Sequence, residues 1–140
     1  VIGTKSLASV EYGVKVAGVK LVLVMGHTRC GAVTSSVELV GSNQTASDAT
    51  GCQHLQSIVD ELTPSVTKLM TRPLSELSPE EVEALVDDVS RYNVQRTVEE
   101  VVSRSGVIRD AVEAGDVRVV GAVYDVKSGE IEFLDTDATN

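Results

Sequence analysis

The sequence predicts an α/β fold: a parallel-type central sheet flanked by helices, with a C-terminal β-hairpin. Three observations carry that expectation. Two short runs, VKLVLVM at residues 19–25 and VRVVGAVYDV at 117–126, are rich in β-branched residues and almost unbroken in apolar character, the pattern of strands buried on both faces. Between them lie stretches whose apolar residues recur at three and four, as on one face of a helix. After the second run, Lys127-Ser128-Gly129-Glu130 reads as a turn, and residues 131–134 pair back as a hairpin partner. Helix, strand, helices, strand and hairpin in that order form an α/β layout.

Each element has its own justification. Residues 4–18 read as a helix, with Leu7, Val10, Val14 and Ala17 on one face and Gly18 as its stop. The first strand follows at 19–25. Residues 32–40 form the next helix, and 41–51 (GSNQTASDATG) are small and polar, as in a loop. Leu55, Ile58, Val59 and Leu62 mark a helix expected to end near Pro64, and Val66, Leu69 and Met70 a further short turn before Pro73. Ser78-Pro79-Glu80-Glu81 is a strong helix start. Ser78 caps, Pro79 fits the first helical position and Glu81 closes a capping box. The helix it opens carries Val82, Leu85, Val86, Val89, Val94, Val98, Val101 and Val102 and extends to about Arg104. Residues 107–114 form one more helix, with Gly115 as its C-terminal cap.

The totals narrow the function. A chain of 140 residues is about one domain, and residues 1–140 are read as a single one. Apolar residues at 42% with only 3% aromatic imply an aliphatic core. Acidic residues outnumber basic ones 21 to 12, and a net charge of -9 repels phosphate backbones, so nucleic acid is not an expected partner. The same charge also serves solubility. No apolar run approaches the length of a membrane span, and no basic-apolar-small leader is present. Two cysteines, Cys30 and Cys52, do not make a disulfide framework, and reduced thiols in a cytoplasmic setting are expected. The chain begins at Val1 rather than Met, so it is expected to be a piece of something longer.

The chemistry concentrates in Val24-Met25-Gly26-His27-Thr28-Arg29-Cys30-Gly31-Ala32-Val33. His27 follows the carboxyl end of the first strand, where open α/β sheets bind ligands. Cys30 opens the next helix, whose N-terminal amides favour negative charge. An imidazole and a thiolate three residues apart around a tight turn can hold one zinc ion, and Gly26 and Gly31 let the backbone bend close to it. His27 and Cys30 are therefore the candidate metal ligands, with buried, inert packing as the alternative for Cys30. Cys52 and His54 could complete a closed Cys2His2 zinc site, but residues two apart on a helix point to nearly opposite sides. The alternative for Cys52 is a small buried residue, and for His54 a polar residue at a helix start. Arg29 either attracts an anionic ligand or pairs with a nearby acid. Glu80, Glu81, Glu83, Asp87 and Asp88 read as a solvated helix face. Tyr124-Asp125 reads as packing and a strand-end hydrogen bond rather than catalysis.

The sequence resembles the β-class carbonic anhydrases. The resemblance rests on Ser6-Leu7-Ala8-Ser9-Val10-Glu11-Tyr12 leading into Gly18-Val19-Lys20-Leu21, on Gly26-His27-Thr28-Arg29-Cys30-Gly31-Ala32-Val33, on Asn93-Val94 with Glu100 six residues on, and on Gly121-Ala122-Val123-Tyr124-Asp125-Val126-Lys127-Ser128-Gly129-Glu130-Ile131. The pieces stand in family order and cover nearly the whole chain. The resemblance implies a zinc-dependent reversible hydration of carbon dioxide to bicarbonate and a proton. It implies zinc held by two cysteines and one histidine, of which His27 and Cys30 match the second and third, and a homo-oligomer. Gly31, just after the cysteine ligand, is expected in close backbone packing, with no catalytic role.

The resemblance also defines what the 140 residues do not contain. The family's first ligand lies in an upstream Cys-x-Asp-x-Arg motif, and no such motif is present. The catalytic Asp-Arg pair therefore has no counterpart here, and the domain is expected to be N-terminally incomplete, short of two strands. Catalytic zinc usually has three protein ligands, and an apolar strand without its neighbour is a docking site or an aggregation hazard. Three readings follow. The chain is a carbonic anhydrase or the larger part of one; or it is a non-catalytic carbonic-anhydrase-like module for assembly or regulation, of the kind also appended to transporters; or it is a thiol protein using Cys30 with Cys52 as resolving thiol.

Overall fold

The computed structural model describes residues 1–42 and 44–135. In chain order the elements are α1 (Thr4–Lys15), β1 (Leu21–His27), α2 (Gly31–Leu39), α3 (Ala46–Thr50), α4 (Gln56–Leu69), a single 3-10 turn (Leu74–Glu76), α5 (Pro79–Ser103), α6 (Gly106–Glu113), β2 (Arg118–Tyr124) and β3 (Ile131–Leu134). The α/β layout is as expected, with helices leading, separating the two long strands and preceding the final hairpin.

The sheet runs in the order β1-β2-β3. Strands β1 and β2 are parallel, in register from Leu21 opposite Arg118 to His27 opposite Tyr124. Strand β3 returns antiparallel, with Tyr124 opposite Ile131. The turn between them closes on Asp125, whose carboxylate accepts from the amides of Lys127 at 2.7 Å and Ser128 at 2.8 Å. Those amides, Ser128's first, and more weakly the charge of Arg29, hold the Asp125 carboxyl below the ordinary carboxylate range.

Helix α5 is the spine of the molecule. Its start is a complete capping box: Ser78 Oγ accepts from the Glu81 amide, Glu81 accepts from the Ser78 amide, and Pro79 sits at the first turn. Over its C-terminal part, Val98 and Val101 join Ile2, Leu7, Ile108 and Val119 in one core cluster, on which Val22 and Val24 pack. Over its N-terminal part, Val86 and Val89 join Val33, Val37, Leu62 and Val66 in a second cluster, against which Cys30 rests. Between the two, α5 passes so close to β1 that a Cβ on Gly26 would lie 2.6 Å from Val94 Cγ2. That contact by itself calls for a glycine at position 26. Gly31 has no atom within 4 Å of the place a Cβ would take, so the expected close packing there is absent.

Three further expectations are corrected. Strand β1 is not buried on both faces: Val22 and Val24 are covered, while Leu21, Leu23 and Met25 are exposed. The covered residues share a face with Val119, Gly121 and Val123, the face against which α5 packs. Helix α4 does not end near Pro64 but runs through it to Leu69. The apolar stripe of Val59, Leu62 and Val66 continues across the proline, and this burial outweighs the missing amide bond, a cost of about 3 kcal/mol. The segment at 41–51 is not all loop. Thr45 and Asp48 form a capping box that starts the single-turn α3, and Gly51 ends it at a left-handed φ of 75°; Asn43 lies outside the described residues.

Candidate metal centre

The candidate centre lies where β1 ends and α2 begins. His27 is the last residue of β1 and is exposed. Its Nδ1–H donates to the Thr28 carbonyl at 3.0 Å, which places the free lone pair of the neutral ring on Nε2. A histidine that spends one ring nitrogen on a backbone carbonyl and keeps the other open is prepared as a metal ligand. Cys30 is the N-cap of α2, half-buried, unbridged, and without a capping bond from its side chain. Its Sγ therefore sits at the N-terminus of α2, where negative charge is favoured, without being spent on a capping bond. Both residues line one open cleft of about 280 Å³.

The walls of that cleft are mixed. Val33, Ile58, Leu62 and Val94 supply apolar surface, and Ser90, Asn93 and Thr97 bring polar groups from α5. The two hydroxyls are turned back on their own helix, Ser90 donating to the Val86 carbonyl and Thr97 to the Asn93 carbonyl. Asn93 is fixed differently. Its Oδ1 accepts from Ser65 Oγ at 3.2 Å and from Arg96 Nη2 at 3.3 Å, so the carboxamide is oriented by α4 and by the next turn of α5. Arg96 itself bonds to Glu100 at 2.7 Å and to the Glu61 carbonyl.

The turn between His27 and Cys30 is held from both sides. Thr28 donates its amide to the Tyr124 carbonyl at 3.0 Å, and its hydroxyl accepts from the Val126 amide at 3.1 Å. Arg29, the one non-glycine residue with positive φ among the described residues, at 55°, donates its amide to Asp87 Oδ1 at 2.8 Å. Its guanidinium reaches Glu83 through Nε at 2.9 Å and Nη2 at 2.7 Å. Of the two roles open to Arg29, the structure shows pairing with an acid. Glu83 and Asp87 are accordingly not mere solvated surface, and neither is Glu81, which caps α5 and bonds Arg72 at 2.8 Å. Their spacing of four on one helix face was the signal that they share a partner.

Cys52 and His54 do not join the centre. Cys52 is exposed in the segment after α3, its Sγ 3.9 Å from the Thr50 carbonyl. Among the described residues no group of three His, Cys, Asp or Glu side chains is placed to hold a metal, so the closed Cys2His2 site is not formed. The donor chemistry of His27 and Cys30 fits zinc, which takes imidazole nitrogen and thiolate sulfur alike. It fits as two ligands of an incomplete set.

Comparison with known proteins settles the family. A family model described as carbonic anhydrase matches residues 2–131. The chain belongs to the β-class carbonic anhydrases. A carbonic anhydrase of Mycolicibacterium smegmatis is 30% identical over 133 residues, which is 95% of this chain and 58% of the relative. The structure of the β-carbonic anhydrase CafA of Aspergillus fumigatus superposes with a TM-score of 0.75 at 25% identity, covering 96% of this chain and 57% of that one. The structures of two tetrameric β-carbonic anhydrases from Sordaria macrospora give 0.74 at 21% identity, over 95% and 61%. The α/β architecture of the carbonic anhydrases is thus shared over almost all of this chain, and the chain spans little more than half the length of these relatives. No helix among the described residues is long and apolar enough to cross a membrane.

Proposed function

We propose that this chain takes part in the zinc-dependent, reversible hydration of carbon dioxide to bicarbonate and a proton, and that His27 and Cys30 are two of its zinc ligands. The observation that carries the reading is the pairing of an open His27 Nε2 with an uncapped Cys30 Sγ on one cleft at the end of a parallel strand. Family membership supports the same reaction class. Zinc, when bound, supplies Lewis acidity that makes water a nucleophile near neutral pH. The chain's own residues do the rest. His27 and Cys30 donate to the metal, the Ile58, Leu62 and Val94 surface accepts an apolar substrate, and Asn93 is held to present a fixed dipole beside it. Among the described residues no third protein ligand stands beside His27 and Cys30. The reading includes one domain over residues 1–140, a cytoplasmic setting that keeps Cys30 reduced, and self-assembly, which the exposed apolar side of the sheet supports.

A second reading rests on the incomplete ligand set among the described residues. Under it the chain is a non-catalytic carbonic-anhydrase-like module for assembly or regulation. One experiment separates the two: zinc per chain and carbon dioxide hydration, measured on metal-replete wild type, His27→Ala and Cys30→Ala. Bound zinc and hydration that both variants lose are expected. Absence of zinc and of hydration in the wild type overturns the catalytic reading and leaves the module.

A further inference from the structure

We propose that Asp87, with Glu83 behind it, is a positioning residue for the His27–Cys30 pair. From α5 it locks the turn between the two ligands in a left-handed conformation that sets both on one cleft. The inference rests on the metal-ligand reading of those two residues, and goes beyond it by naming what holds them.

The turn is only two residues long, and each is anchored to a different element. Thr28 extends the sheet, bonded to Tyr124 and Val126 on the β2 side. Arg29 then reverses the chain at a φ of 55°, which a non-glycine residue keeps only where its surroundings over-determine it. The surroundings here are two carboxylates one helical turn apart. Asp87 takes the backbone amide at 2.8 Å, and Glu83 takes the guanidinium at 2.7 and 2.9 Å. The backbone bond matters more, because it fixes the peptide and not merely the side chain. Cys30 follows directly and starts α2, its carbonyl accepting from the Thr34 amide at 2.9 Å. A rotation at Arg29 would therefore carry Cys30 and the first turn of α2 away from His27. Helix α5 is a firm platform for this, since the Gly26–Val94 contact permits no other side chain between it and β1. The geometry follows the general arrangement in which a metal site is held by carboxylates that never touch the metal.

The test uses the full chain, with two readouts: amide hydrogen exchange by NMR on the metal-free protein, and Co2+ titration followed through the thiolate-to-cobalt charge-transfer band. In Asp87→Ala, exchange at the Arg29 amide is expected to speed by about 10-fold or more, while core amides such as that of Val89 stay at wild-type rates. Its Co2+ affinity is expected to fall by about 10–100-fold, and Asp87→Asn, whose carboxamide oxygen still accepts, is expected to restore both. Equal Arg29 exchange in wild type and Asp87→Ala overturns the proposal, and so does an unchanged Co2+ affinity. If the wild type takes up no Co2+, the metal-ligand reading falls, and Arg29 and Cys30 amide exchange alone decides whether Asp87 locks the turn. Should Asp87→Ala not fold, Glu83→Ala is the second variant. A several-fold weaker Co2+ affinity with intact core amides supports the lock, and wild-type affinity with wild-type Arg29 exchange overturns it.

Discussion

Leu23 and Val24 are neighbours in one strand and chemically alike, yet they live in different places. Val24 packs with Val22 against the cluster of Val98, Val101, Ile108 and Val119, under α5. Leu23 points the other way and is 41% exposed, beside Met25 on its own strand and opposite Val120 of β2. The alternation is strict in β1, whereas β2 is buried from Gly121 to Val123 and β3 is exposed from Ile131 to Phe133, so the contrast between a covered and a bare face is sharpest on β1. The covered face carries the close approach of α5. The bare face is as apolar but has no layer over it among the described residues. The lesson is that apolar character makes a residue eligible for burial, while the helix connections decide which side receives it.

Substitutions on the two faces should therefore diverge. The largest effect is expected beneath the covered face, where Ile108 is fully buried. Ile108→Ala should lower the unfolding free energy by about 2–5 kcal/mol in chemical denaturation. A loss no greater than that of a surface change would mean that the covered face is not a packed core. Next comes Gly26→Ala. Its methyl would meet Val94 Cγ2 at 2.6 Å, and a β-branched neighbour on a helix has little freedom to yield. Destabilisation of about 1–3 kcal/mol is expected. An unchanged denaturation midpoint would show that α5 sits farther from β1. The smallest effect belongs to the bare face: Leu23→Ser should change stability by no more than about 0.5 kcal/mol. It should also reduce binding of an apolar dye or self-association. A Leu23→Ser loss as large as that of Ile108→Ala would show that the bare face is covered in solution and erase the contrast.

The parts of the fold and site that were legible in the sequence share a feature: their causes lie within a few residues. The capping box at Ser78 and Glu81, the Gly18 and Gly115 stops and the Asp125 turn are local hydrogen-bond patterns that any chain of that sequence can form. The capping box of Thr45 and Asp48 was equally local and is visible in retrospect within a stretch that reads as polar loop. The expected stop at Pro64 failed for the opposite reason: a local rule gave way to an apolar stripe that α2 and α5 bury from outside. In the site, His27 and Cys30 were legible because they are three residues apart. The partners of Arg29 were not, since Asp87 is 58 residues away and Glu83 is 54.

By itself the sequence determined the α/β layout, the C-terminal hairpin and the placing of an imidazole and a thiol at one strand end, because periodicity, capping and turn chemistry act over one or two turns of chain. Which face of the sheet is covered, that a helix crosses its own proline, and that two carboxylates of α5 hold Arg29 in a left-handed turn were decided only by the tertiary structure. Those outcomes depend on which distant surfaces meet, and contact between distant surfaces is a property of the packed chain rather than of any short stretch within it.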